Sequence, residues 1–272
     1  MLKSREEEEI LQDIQSAASR GYKEVVITGI HLSSYGVDRS EEKQFVNLKG
    51  KPLVDILKKI DPIPGIERIR LGSLEPRIIC EEFMEGLKQV TKLCPHFHLS
   101  LQSGCDETLR RMNRHYKAEE YKQKCDMLRA YYEHPAITTD IIVGFPGETE
   151  EEFATTRRFI REIHFADVHV FQYSKRNGTK AAGMPDQVSP EKKHERSEIL
   201  IEDVRKLRQT YLEWFVGREE KVLFEEIRKI ENERYLTGHN ERYALVKVPV
   251  DQAERDGYLE NEIGIVKIER SN

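Results

Sequence analysis

Hydrophobic residues recur along the first 216 positions in two alternating patterns, one helical and one typical of short buried strands. Between residues 10 and 18 they fall at helical spacing and stop before Gly21, after which Val25-Val26-Ile27 forms an apolar run. The same alternation predicts strands at 25–27, 68–71, 97–101, 137–143 and 168–171, and helices at 53–60, 81–90, 119–131 and 150–163. The polar segment 38–51 is predicted as a loop. This succession predicts an α/β fold of parallel strands joined by right-handed helical crossovers, in the form of an incomplete (β/α) barrel.

The pattern changes towards the carboxyl terminus. Ser189-Pro190 is typical of a helix start, and the charged segment that follows predicts a long helix ending near Phe215. From Gly217 onwards the chain shows short alternating segments that predict a small antiparallel β-barrel. Its strands are expected at 221–227, 234–238, 242–248 and 264–268. We therefore predict two domains, 1–216 and 217–272.

Composition limits the classes of function. The chain has 272 residues, 34% of them charged, and a net charge of −5. A strongly basic protein is excluded, so any nucleic-acid contact has to come from a local patch. The sequence contains no apolar run approaching ~18 residues and no signal peptide, which predicts a cytoplasmic protein with no membrane partner.

The four cysteines are Cys80, Cys94, Cys105 and Cys125. Their spacing matches neither an iron–sulfur nor a zinc pattern. We expect them to be core or pocket-wall thiols in a reducing compartment, with no metal bound to them.

The segment from Thr139 to Thr149 holds the most informative motif. Asp140 interrupts a β-branched apolar strand, where a carboxylate requires a partner or a role. Gly144 and the glycine and proline after it allow close approach of a ligand to the backbone, and Thr149 with Glu152 forms a capping box for the next helix. An ordinary strand-to-helix turn with a solvated aspartate is the alternative.

Three further polar segments follow apolar strands in the same way. They are Thr28–Gly36, His98–Tyr116 and Phe171–Ala182. Together with residues 139–149, these segments resemble the radical S-adenosylmethionine methylthiotransferases, in order and over nearly the whole chain. Within that family, the residues His31, Cys105 and Lys175-Arg176 make the sequence most similar to the branch that acts on threonylcarbamoyladenosine in tRNA.

The resemblance implies a radical barrel followed by a TRAM domain, a small β-barrel that binds tRNA. It implies S-adenosylmethionine and [4Fe-4S] clusters as cofactors, with addition of a methylthio group to the hypermodified adenosine beside the anticodon. The C-x3-C-x2-C cluster loop of the family is absent from this sequence. We therefore expect a barrel lacking its first strand, no cluster bound to this chain, and no activity of this fragment alone.

In a parallel barrel the ligand site lies at the carboxyl ends of the strands. For S-adenosylmethionine, Glu75 is suited to the amino group, Arg77 to the carboxylate, and Gln102 or Ser103 to the ribose. The predicted cofactor-binding residues are Thr28, Gly29, Ser73, Glu75, Arg77, Gln102, Ser103, Asp140, Gly144 and Phe145. The alternatives are a structural salt bridge between Glu75 and Arg77, and a polar network at Gln102 and Asp140 that ties neighbouring strands together. His31 is interpreted as a pocket-wall histidine rather than a base.

A local basic patch is predicted to contact tRNA phosphates. It comprises Arg110, Arg111, Arg114, Lys117, Lys175 and Arg176. A solvated charged surface is the alternative. Segment 217–272 is itself net acidic, which weakens an RNA role on composition alone.

Two other functions stay open. A cluster-free module for RNA binding or assembly is favoured by the missing cysteines. The ribosomal-protein branch of the same family is disfavoured by the residues that resemble the tRNA branch.

Overall fold

The computed structural model describes residues 3–271, which divide into two compact units. Unit A comprises residues 3–74, 78–97 and 212–271, and unit B comprises residues 75–77 and 98–211. The C-terminal segment thus belongs to the same compact unit as the first two strands. The domain boundary after residue 216 stays a prediction.

The N-terminal part of unit A contains two parallel strands, β1 (Glu24–Ile27) and β2 (Arg68–Leu71), paired in register from Glu24 with Arg68 to Ile27 with Leu71. Its helices are α1 (Glu7–Ser19), α2 (Phe45–Leu48), α3 (Lys51–Ile60) and α4 (Glu81–Leu87). The segment predicted as a loop contains the one-turn helix α2 and the start of α3. Gly50 allows this because it takes the left-handed conformation (φ 69°) directly before α3.

Unit B contains most of a second parallel sheet. Its strand order is β3 (His96–His98), β4 (Ala136–Val143) and β5 (Asp167–Gln172). The helices that follow these strands are α5 (Asp106–Arg111), α6 (Ala118–Tyr131), α7 (Glu150–Ile163) and α8 (Pro190–Glu213). All five predicted parallel strands are present. The six-residue helix α5 was not predicted, because so short a segment has no readable period.

The C-terminal part of unit A is an antiparallel sheet in the order β8-β7-β6-β9. Its elements are β6 (Glu219–Ile230), β7 (Glu233–Asn240), β8 (Leu245–Pro249), helix α9 (Val250–Asp256) and β9 (Ile263–Lys267). The prediction of four antiparallel strands is confirmed. In the described part of the chain, the strand pairings leave the sheet open at β8 and β9, so closure into a barrel is not seen, and α9 was not predicted.

Two arginines of β2 connect that strand to the C-terminal sheet within unit A. Arg68, 2% exposed, donates to the backbone oxygens of His239 (2.8 Å) and Lys221 (2.7 Å). Arg70 forms a two-pronged ion pair with Glu24 (2.7 and 3.0 Å). Their alternation along β2 places both guanidinium groups on one face of the strand. The sheet therefore packs on β2 through buried charge-assisted hydrogen bonds.

The only tryptophan of the chain, Trp214, follows the last turn of α8. The guanidinium of Arg218 lies 3.8 Å from the centre of its ring, and the Arg218 Nε donates to the Trp214 carbonyl at 2.9 Å. This stacking fixes the turn between α8 and β6 in unit A. None of the helices in residues 3–271 is both long and apolar enough to cross a membrane.

Candidate functional site

The loop after β4 is built around Gly144. This residue is left-handed (φ 71°), and a side chain there would place its Cβ only 2.4 Å from Cγ of Lys193. Its N–H donates to Oε2 of Glu148 at 2.7 Å. Only glycine satisfies both the backbone conformation and the close contact, as the motif predicted.

A buried ion pair holds this loop in place. Arg196 of α8 lies 2.8 Å from Oε2 of Glu148, and both side chains are less than 5% exposed. The same guanidinium donates to the Glu148 carbonyl at 3.0 Å. Burial raises the pKa of Glu148, while the Gly144 N–H and Arg196 oppose that shift. The loop is thus rigid before any ligand binds.

The predicted capping box at the start of α7 is confirmed. Thr149 Oγ1 accepts from the Glu152 N–H (3.2 Å), and the Glu152 carboxylate accepts from the Thr149 N–H (3.0 Å). The sequence did not reveal that Arg111 also binds this carboxylate, with contacts of 2.9 and 2.5 Å, and donates to the Pro146 carbonyl at 3.2 Å. Both the loop and the helix start are therefore fixed from α5.

Two polar side chains lie at the carboxyl edge of the sheet. Gln102 has a left-handed backbone (φ 74°), donates its N–H to the Asp140 carbonyl and accepts from the Ile142 N–H. The Gln102 side chain is half-buried, and among residues 3–271 the buried hydroxyl of Tyr173 has no hydrogen-bond partner. Tyr173 donates its backbone N–H to the Val143 carbonyl, and its ring packs edge-on against Phe145. An unpartnered buried hydroxyl near a close-approach glycine is suited to a polar, flat ligand.

Three other predicted cofactor residues of unit B have protein partners. The Ser103 hydroxyl is fully buried and contacts Thr156 Oγ1 (3.1 Å) and the Cys105 N–H (3.2 Å). Glu75 lies 3.6 Å from Arg114. Arg77 is exposed in a short 3-10 turn. Their contacts with S-adenosylmethionine stay predictions.

Asp140 also has partners of its own. Its carboxylate lies 3.4 Å from Nε2 of His98 and 3.1 Å from Nδ1 of His169. The hydrogen bond from His98 is the main factor that lowers the pKa of Asp140, against the opposing effect of burial. These contacts agree with the strand-tying alternative, and a direct contact between Asp140 and the cofactor stays a prediction.

The remaining cofactor residues, Thr28, Gly29 and Ser73, lie in unit A, directly after β1 and β2, and all three are exposed. Thr28 is close to Gly72, where an added Cβ would lie 2.8 Å from the Thr28 hydroxyl. The ends of the two strands therefore approach each other tightly, as expected at the carboxyl edge of a parallel pair. The ligand contacts of these residues also stay predictions.

The basic residues of the predicted RNA patch differ in availability. Lys175 and Arg176 are exposed in the segment after β5, Lys117 is exposed before α6, and Arg110 is exposed beside Glu107 (3.0 Å). Arg111 and Arg114 are instead paired with the carboxylates of Glu152 and Glu75. A phosphate bound to either of these two would have to replace a carboxylate.

The four cysteines are free thiols, Cys80 and Cys94 in unit A and Cys105 and Cys125 in unit B. Burial raises the pKa of Cys94 to about 12 and that of Cys125 to about 12, as expected for core thiols. That no cluster binds to this chain stays a prediction. Among residues 3–271, the one cluster of three potential metal ligands is His98, Asp140 and His169, and it contains no cysteine.

The parallel β/α fold and the glycine loop are shared by several protein families, and comparison with known proteins specifies which one. The family model described as Radical SAM superfamily matches residues 2–160. The chain belongs to the radical SAM superfamily. Coproporphyrinogen III oxidase (HemN) from Escherichia coli, described as a radical SAM enzyme, shares the fold at 16% identity with a TM-score of 0.51, covering 74% of this chain and 46% of that chain.

Curated relatives confirm the resemblance to methylthiotransferases. The chain is 40% identical over 230 residues to a tRNA-2-methylthio-N(6)-dimethylallyladenosine synthase of Caldicellulosiruptor saccharolyticus, covering 85% of this chain and 47% of the relative. It is 38% identical over 248 residues to the threonylcarbamoyladenosine tRNA methylthiotransferase MtaB of Bacillus subtilis, covering 90% of this chain and 53% of the relative. The chain spans about half the length of the curated relatives it matches.

Proposed function

We propose that this chain forms the S-adenosylmethionine-binding part and the C-terminal sheet of a tRNA methylthiotransferase. The observation that carries the proposal is the glycine loop, held by Glu148 and Arg196, together with the unpartnered buried hydroxyl of Tyr173, in a chain of the radical SAM superfamily. These groups are suited to a nucleoside-like ligand, which needs a flat contact surface and a few fixed polar partners.

In this proposal the protein supplies binding and orientation. The Gly144-Phe145 backbone would contact the adenine, and the Gln102 amide would bind a ribose hydroxyl, while Glu148 and Arg196 hold the loop in its conformation. When bound, S-adenosylmethionine and an iron–sulfur cluster supply the radical chemistry. The spacing of the four cysteines predicts no such cluster on this chain, so no step of the reaction is assigned to them.

The substrate we propose is threonylcarbamoyladenosine in tRNA. Its modification carries a carboxylate, and the exposed Lys175 and Arg176 provide cations after β5. A dimethylallyl group is apolar and would gain nothing from these charges. The 40% identity to the dimethylallyladenosine synthase makes that substrate the second candidate.

The test is mass spectrometry of tRNA nucleosides. The chain is expressed as part of a protein that also supplies the family's cluster-binding segment, in a bacterial host lacking its own tRNA methylthiotransferases. We expect methylthio-threonylcarbamoyladenosine to appear, and Gln102→Ala to reduce it by at least about tenfold through loss of one ligand hydrogen bond. Gln89→Ala, at an exposed glutamine after α4, is the matched control and should leave the product unchanged.

Each other outcome reassigns the function. Detection of methylthio-dimethylallyladenosine instead would assign the second candidate substrate to this chain. Unmodified tRNA that nevertheless binds the protein would support the module for RNA binding or assembly. Residues 1–272 on their own are expected to be inactive.

A further inference from the structure

The described residues contain a compact set of metal-ligating atoms apart from the glycine loop. His98, Asp140 and His169 come from three adjacent strands, β3, β4 and β5. Asp140 and His169 are direct register partners across the parallel pair β4–β5. Their side chains therefore project from the same face of the sheet.

The donor atoms are close enough to share one ion. The carboxylate lies 3.4 Å from His98 Nε2 and 3.1 Å from His169 Nδ1, and all three donor atoms lie within 4.8 Å of one another. Ligands around a tetrahedral ion with bonds of about 2.0–2.2 Å lie about 3.3–3.6 Å apart. The two imidazoles contact different oxygens of the carboxylate, Oδ2 for His98 and Oδ1 for His169, so an ion held by one oxygen requires the side chains to move closer together by about 1 Å.

A second contact orients His98 for ligation. Its Nδ1 lies 3.0 Å from the hydroxyl of Thr138, which is 8% exposed. Metal-binding histidines characteristically use the second ring nitrogen to donate to such an oxygen, which leaves the first nitrogen with a lone pair for the ion. Without an ion, His98 Nε2–H donates to the Asp140 carboxylate; with an ion bound, the Nδ1–H would donate to Thr138 and the Nε2 lone pair would face the ion.

We propose that His98, Asp140 and His169 form a binding site for a divalent transition-metal ion such as Zn²⁺ or Fe²⁺. Two imidazoles and one carboxylate favour these ions over Mg²⁺ and Ca²⁺, which prefer oxygen ligands throughout. Three protein ligands leave at least one coordination position for water or a substrate atom. His169 is the most exposed of the three, and His98 and Asp140 are half-buried. The site is independent of the methylthiotransferase assignment.

The experiment is equilibrium dialysis of the untagged 272-residue chain against Zn²⁺, with metal measured by mass spectrometry. We expect one Zn²⁺ per chain, and little Mg²⁺ under the same conditions. His98→Gln, Asp140→Asn and His169→Gln should each weaken binding at least about tenfold, and Thr138→Val should weaken it about tenfold by removing the orienting contact. His239→Gln is the matched control, because His239 also pairs with a carboxylate, that of Glu225 at 2.7 Å.

Two measurements separate ligation from folding and from the cysteines. His169→Gln lies at an exposed position, so its circular dichroism and melting curve should match the wild type while its metal content falls. With Co²⁺, the visible spectrum should show nitrogen and oxygen ligation without the intense near-ultraviolet bands of thiolate ligands. Absence of stoichiometric Zn²⁺ in the wild type, or binding unaffected by His98→Gln and Asp140→Asn, would show that the three residues only tie the strands together.

Discussion

At the scale of single residues, the Glu148–Arg196 pair is the most consequential contact of the glycine loop. Both side chains are almost completely buried, and Arg196 also binds Glu150 at 2.8 Å. Removing one member leaves an unpaired buried charge, which costs more than the pair itself contributes. This pair could not be predicted from the sequence, because its members are 48 positions apart.

We expect Arg196→Met to lower the free energy of unfolding by about 3–5 kcal/mol, measured by urea denaturation at pH 7. Arg158→Met, on the exposed side of α7, is the control and should change stability little. In the double variant Glu148→Gln with Arg196→Met, the loss should be smaller than the sum of the single losses, because no charge is stranded. Additive losses would show that the two side chains act independently.

Gln102 allows backbone and side chain to be tested separately. The left-handed backbone of Gln102 destabilises the fold by about 1 kcal/mol, because the residue is not glycine. A glycine there would remove this strain, but it would also make the unfolded chain more flexible, which offsets the gain in stability. We expect Gln102→Gly to change the free energy of unfolding by less than about 1 kcal/mol while weakening S-adenosylmethionine binding, measured by calorimetry. A large loss of stability with unchanged binding would assign Gln102 to the strand network instead.

At the scale of elements, the start of α7 links a helix cap to an ion pair. The hydrogen bond from Arg111 is the main factor that lowers the pKa of Glu152 below its ordinary value of 4.5. A carboxylate with a lowered pKa stabilises the fold above that ordinary value, and the contribution is lost as the pH falls below it.

We therefore expect Glu152→Gln to destabilise the protein by about 1 kcal/mol at pH 7, since glutamine keeps the cap but loses the charge and partial exposure screens the pair. The difference from the wild type should shrink as the pH is lowered from 4.5 towards 3. Denaturation curves at several pH values measure it. A difference that is constant with pH would mean that the cap alone matters.

The elements also show what a sequence can predict. The bounds of α7 and its capping box could be predicted because they depend on residues three or four positions apart. The cluster of His98, Asp140 and His169 could not, because the register between parallel strands is set by packing over long separations. One signal was available: Tyr173 comes directly after β5, at the carboxyl end of a parallel strand, where the ligand site of such a fold lies. The helix α9 was not predicted. Its seven residues, Val250–Asp256, directly follow an alternating strand pattern and are too few to show a helical pattern of their own.

At the scale of the whole molecule, the C-terminal sheet depends on β2 within unit A. Arg68→Met would leave the carbonyls of His239 and Lys221 without their charged donor. We expect faster hydrogen–deuterium exchange throughout β6 and β7, with β4 in unit B unchanged as an internal control. Unchanged exchange in β6 and β7 would show that apolar packing alone holds the sheet.

The proposed tRNA contacts predict a particular dependence on salt. Replacing Arg110, Lys175 and Arg176 with glutamine should each reduce the slope of log affinity against log salt by about 0.7 for single-stranded regions. Arg205→Gln is the control, because Arg205 is as exposed as Arg110 and is likewise paired with a glutamate, but lies on α8 outside the predicted patch. Binding that does not respond to salt, or that responds equally to the control, would remove the phosphate assignment.

Trp214 gives the chain an optical property that follows from its position. Because it is the only tryptophan and lies in unit A, intrinsic indole emission excited at the red edge reports on that unit alone. The stacked guanidinium of Arg218 makes the ring's surroundings depend on the turn between α8 and β6. A melting curve followed by this emission, compared with one followed by helix ellipticity, therefore shows whether the two units lose their structure together or in succession.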